Sequence, residues 1–93
     1  MVVGLLRLEL HLSEAQSLKD KRAVLKSLKD RLHGKFNVAV AEVDMNELWQ
    51  RACLGVAALG SDRRHVSGVL REVVEWIRMD RIVALIRADE EYY

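Results

Sequence analysis

A chain of 93 residues, 51% hydrophobic and 31% charged, is long enough for one domain with one core and too apolar for a disordered tail. Its net charge of +1 excludes a uniformly basic or acidic protein, so any electrostatic role must come from uneven placement. The single cysteine, Cys53, excludes an internal disulfide and fits a reducing compartment.

The apolar run from Met1 to Leu6 is broken by Arg7 and is too short for a signal peptide or a membrane span. The expectation is a cytoplasmic protein made of one domain, residues 1–93, with no membrane contact. Strict alternation follows. Leu6, Leu8, Leu10 and Leu12 point one way, and Arg7, Glu9 and His11 the other, which predicts a half-buried first strand.

Ser17 then opens a helix, with Asp20 in capping-box position. Leu18, Val24, Leu25, Leu28 and Leu32 supply its apolar face, and Gly34 stands where a C′ glycine would end it. Phe36 to Val43 reads as a second strand and Arg51 to Leu59 as a third, joined by a polar loop. Gly60-Ser61-Asp62 reads as a turn and N-cap. A second helix follows, with Val66, Val69, Leu70, Val73 and Ile77 at helical spacing. Ile82 to Ile86 is expected to form the last strand, and Asp89 to Tyr93 a short tail.

The order β-α-β-β-α-β is the split-βαβ, ferredoxin-like α/β pattern, an α+β arrangement. Right-handed crossovers place both helices on one face of a four-stranded antiparallel sheet, leaving the other face bare. Strand three is apolar on both sides, with Cys53, Gly55, Ala57 and Leu59 opposing Leu54, Val56 and Ala58. The last strand is similar, with Val83 and Leu85 opposing Ile82, Ala84 and Ile86. The bare face therefore predicts a homo-oligomer, with Trp49, Arg51, Leu59, Val83 and Leu85 as candidate contacts. The competing account is a monomer with scattered apolar surface residues.

Several segments carry a resemblance. Ser17-Leu18-Lys19-Asp20-Lys21-Arg22, Phe36 to Val43, Leu48-Trp49-Gln50-Arg51-Ala52 and Leu54-Gly55-Val56-Ala57 together resemble the YlxP-like family of small bacterial proteins, from Met1 to about Val74. The resemblance implies a ferredoxin-like fold in a domain of unknown function. Its members are often encoded beside translation factors, which implies a role near ribosome assembly or translation. It supplies no active site.

One feature of the first helix points to a polyanion. Counting Leu18 as 0°, Lys29, Arg22, His33, Lys26 and Lys19 fall at about 20°, 40°, 60°, 80° and 100°. These residues form one line beside the apolar arc, a pattern that suits a row of phosphates. Asp20 and Asp30 sit at about 200° and 120°, so neither interleaves fully with the cations. The bland alternative is a solvated helix face. Lys21 lies at about 300°, between Leu28 and Leu32, where it is expected to snorkel past the core edge or hold out a cation for a phosphate.

The two central strands, first and third, carry no aromatic residue, so base stacking of the RNA-recognition type is not expected. Trp49 reads as an anchor packing its loop onto a helix end or a partner. Cys53 reads as an inert core thiol, and Glu9 and His11 as members of a surface ion network with Arg87. His11, His33 and His65 lack ligand spacing. No catalytic residue, metal or cofactor is expected. The reading is a non-enzymatic, RNA- or ribosome-associated accessory protein acting through Lys19, Arg22, Lys26, Lys29, His33 and Lys21. Its rivals are a small-ligand-binding regulatory oligomer and a protein-binding adaptor.

Overall fold

A computed structural model describes residues 1–93 as β1 (Val2–His11), α1 (Leu18–Lys35), β2 (Ala39–Asp44), β3 (Arg51–Gly60), α2 (Arg63–Arg78) and β4 (Ala84–Tyr92). The strands form one antiparallel sheet in the order β2-β3-β1-β4, the ferredoxin-like α+β arrangement. The alternation in β1 sends Leu6, Leu8, Leu10 and Leu12 into the core, each at most 1% exposed. They meet Leu54 and Val56 of β3 and the inward seam of α2: Val66, Leu70, Val73, Val74 and Ile77.

Three expected boundaries move. Gly34 does not end α1. No glycine has positive φ, the helix continues to Lys35, and the Phe36 N–H closes onto the Leu32 carbonyl at 2.8 Å. Phe36 caps the helix and stands edge-on to Trp76 of α2, with ring centres 6.3 Å apart, so β2 begins only at Ala39.

The expected tail, Asp89 to Tyr93, is instead ladder. Residues 89–92 pair with β1, and Val3 and Tyr93 exchange two backbone hydrogen bonds of 2.8 Å. A register shift between Glu9 and Leu10 leaves Ile86 bulged out of the pairing, which resets which side chains face inward. Val83 and Leu85 therefore lie against the core rather than on the bare face, and Val83 is 4% exposed. They are removed from the candidate contacts.

Candidate nucleic-acid interface

The Ser17 hydroxyl caps α1 by accepting the Asp20 N–H at 3.0 Å. The return arm of the expected box reaches one residue further back, where the Asp20 carboxylate accepts the Gln16 N–H at 3.1 Å. Leu25, Leu28 and Leu32 then fix the rotation of the helix. At its far end Arg31 ties α1 to α2, with Nη1 3.0 Å from Asp80 Oδ1 and its guanidinium 5.4 Å from the Trp76 ring centre. Arg31 stands at about 220° on the wheel, so the flank carrying the cations is turned away from α2.

On that flank Lys19, Arg22, Lys26 and His33 are exposed and Lys29 is half-buried. From Lys19 to His33 the line runs about 21 Å at helical rise. One acid does reach it. Asp30 Oδ2 accepts Lys26 Nζ at 2.9 Å, so the partial interleaving expected of the acids amounts to this one pair, and that hydrogen bond holds the Asp30 carboxyl below its ordinary range. Both partners are exposed, so water screens the pair and a phosphate can displace Asp30.

Lys21 leaves the set. It is 1% exposed, and its Nζ donates to the Met45 carbonyl at 2.6 Å and lies 2.8 Å from Glu42 Oε2. It neither snorkels nor meets a phosphate. Its well-directed hydrogen bond goes to Met45, and Glu42 serves as counter-ion. Met45 has φ 60°, a left-handed conformation that costs a methionine about 1 kcal/mol. Lys21 on its carbonyl and Asp44 Oδ1 on its N–H (2.8 Å) hold it there. The period of two carried the missing signal, because Glu42 shares the inward face of Val38 and Val40.

The bare sheet face is divided. Towards the start of β1, Leu5, Ala39, Ala41, Val43, Gly55 and Ala57 line an apolar trough of about 440 Å³. Leu59 stands beside it, paired with Val3 in the register and 63% exposed. Gly55 matters here, since a Cβ at this position would lie 2.9 Å from Val43 Cγ1. Arg7, Asp89 and Glu91 border the trough, and from there the face turns ionic, with Arg7–Asp44 at 3.1 Å, Arg51–Glu9 at 3.1 Å and Arg87–Asp89 at 2.8 Å. Glu9 stands directly across the ladder from Arg87, as expected, while its ion pair is made with Arg51. Cys53 is buried between its cross-strand neighbours Glu9 and Asp44, outside the main core, and burial pushes its thiol up. Trp49 is 54% exposed and lies outside the core cluster. Gln50 holds its loop instead, donating to the Ser13 and Ala15 carbonyls at 3.1 and 3.2 Å.

No three His, Cys, Asp or Glu side chains converge as metal ligands would, and no helix is long and apolar enough to cross a membrane. The sequence model of DUF503, described as a protein of unknown function, matches residues 3–90. The chain is also 38% identical over 76 residues to "Uncharacterized protein YlxP" of Bacillus subtilis (strain 168), covering 82% of this chain and 83% of that protein.

Proposed function

The chain belongs to the DUF503 family of proteins of unknown function, and from that premise we propose that it is a non-enzymatic RNA- or ribosome-associated accessory protein of the cytoplasm. One observation carries this reading. Lys19, Arg22, Lys26, Lys29 and His33 share a single outward flank of a helix pinned at both ends, and only Lys26 has an acidic partner. A rigid row of cations engages a phosphate backbone without reading bases. This agrees with central strands that carry no aromatic residue.

The test is co-sedimentation with purified small ribosomal subunits over a salt series. The wild type is expected to pellet at low salt and to be released steeply as salt rises. A variant with Lys19, Arg22, Lys26 and Lys29 changed to Glu is expected to stay in the supernatant with its circular dichroism unchanged. Absence of wild-type pelleting at low salt removes the reading.

The trough beside Leu59 favours a second reading, in which copies of this chain associate through the bare face and place a small-ligand site at the junction. Leu59 beside a floor of alanines and glycine offers both a knob and a hole on one patch, as a two-fold interface requires. Sedimentation velocity of Leu59→Glu beside the wild type tests it. A dimer lost in the variant supports association, and a monomeric wild type ends it.

A further inference from the structure

A polar recess lies where the end of β1 meets the α2–β4 turn. It holds about 330 Å³ and is lined by His11, Ser13, Arg78, Asp80 and Arg81. Its one acid is already spent. Asp80 Oδ1 takes Arg31 at 3.0 Å, and Oδ2 accepts the Ile82 and Val83 N–H groups, both at 2.9 Å. Hydrogen bonds in the turn also satisfy the Trp76 and Ile77 carbonyls at the end of α2, through Met79 N–H at 3.3 Å and Asp80 N–H at 3.0 Å. The arginines are therefore not needed as caps there.

Arg81 has no acidic partner, and Arg78 lies only 3.9 Å from the exposed Glu75 carboxylate. Two arginines, a histidine and a serine thus line one recess whose single carboxylate is already engaged. Arg51, across the ladder from His11, is neutralised by Glu9 and adds no net charge there.

We infer that this recess is a phosphate-monoester site, with Arg78 and Arg81 gripping the dianion and His11 and Ser13 donating to it. A guanidinium matches two phosphate oxygens at once, and the volume leaves room for the esterified group beyond. The inference does not depend on the α1 flank, which faces away from α2.

The experiment is a heteronuclear NMR titration of the full chain with inorganic phosphate, at ionic strength held constant with chloride. Saturable shifts are expected at the His11 imidazole and at the amides of Ser13 and Arg81 to Ala84, with the α1 amides still. Arg81→Ala is expected to weaken binding about tenfold and Arg64→Ala not at all. Both residues are exposed, so both variants keep the fold. Glycerol phosphate and an RNA oligonucleotide with a 5′-phosphate, each beside its unphosphorylated twin, separate a small ligand from an RNA end by which binds tighter. The inference is overturned by shifts that chloride reproduces, by shifts confined to α1, by an Arg81→Ala affinity equal to wild type, or by indifference to the phosphate group.

Discussion

The two helices lie on the same face of one sheet and are held to it differently. α2 presents an unbroken apolar seam to β1, β3 and β4, so its sequence is almost wholly a statement about the core. α1 lies chiefly against the edge strand β2 and buries three leucines with a lysine among them. It is steadied at its ends by polar and aromatic contacts, the Ser17 cap at one and Arg31 and Phe36 at the other. A helix fixed in this way leaves a long outward surface whose residues the fold does not dictate. That surface carries the cations.

The contrast can be broken most forcibly at Leu70. Leu70→Ala empties a fully buried site under α2 and is expected to cost about 3 kcal/mol in denaturant unfolding. Next comes the buried pair under α1. Lys21→Ala strands Glu42 and releases Met45, and is expected to cost about 2 kcal/mol, less than a fully dry pair because Glu42 keeps some water. Replacing both partners, Lys21→Met with Glu42→Leu, is expected to recover most of that loss. An undiminished deficit in the double variant would mean that Met45, rather than the ion pair, sets the cost.

The junction between the helices has a pH signature. Burial alone would raise the Asp80 carboxyl, but the Val83 and Ile82 N–H groups and the Arg31 guanidinium outweigh it and hold it below the usual range. A carboxyl lowered by folding stabilises above its unfolded value, near about pH 3.9, and loses that contribution as pH falls through the folded value. Asp80→Asn is therefore expected to trail the wild type fully at neutral pH and to converge with it in acid, as thermal melts across that range would report. The smallest effect on stability belongs to the cations. Changing Lys19, Arg22 and Lys29 to Gln is expected to move stability by less than about 0.5 kcal/mol. The same change lowers the salt slope of RNA affinity by about 2 if all three meet phosphates.

Where a residue's neighbours are set by the period of its own element, the sequence was legible. The leucines of β1 and the seam of α2 occupy the faces that alternation and helical spacing assign, and the order of elements followed from them. Legibility failed where a distant partner intervened. Gly34 looked like a terminator until Phe36 found Trp76 across the domain. Val83 and Leu85 changed sides because the bulge at Ile86 inserts one residue into the count, and a period of two cannot survive an odd insertion. Lys21 looked like an edge cation because its counter-ion, Glu42, lies on β2 rather than on its own helix. The row of cations was legible in its angles, whereas Asp30's reach to Lys26 depended on a choice of rotamer.

The pairing of Val3 with Tyr93 has a kinetic consequence. The central strand β1 meets one neighbour, β4, that follows it by both helices and the other two strands. That pairing closes the segment between residues 3 and 93 into a loop before it returns any energy, and each doubling of loop length costs about 0.6 kcal/mol of closure entropy. Refolding is thus expected to be limited by the search for this long-range contact rather than by either helix. Joining residue 93 to residue 1 through a short flexible linker turns that pairing into a local hairpin, and the folding arm of the chevron should rise while the unfolding arm stays nearly where it was.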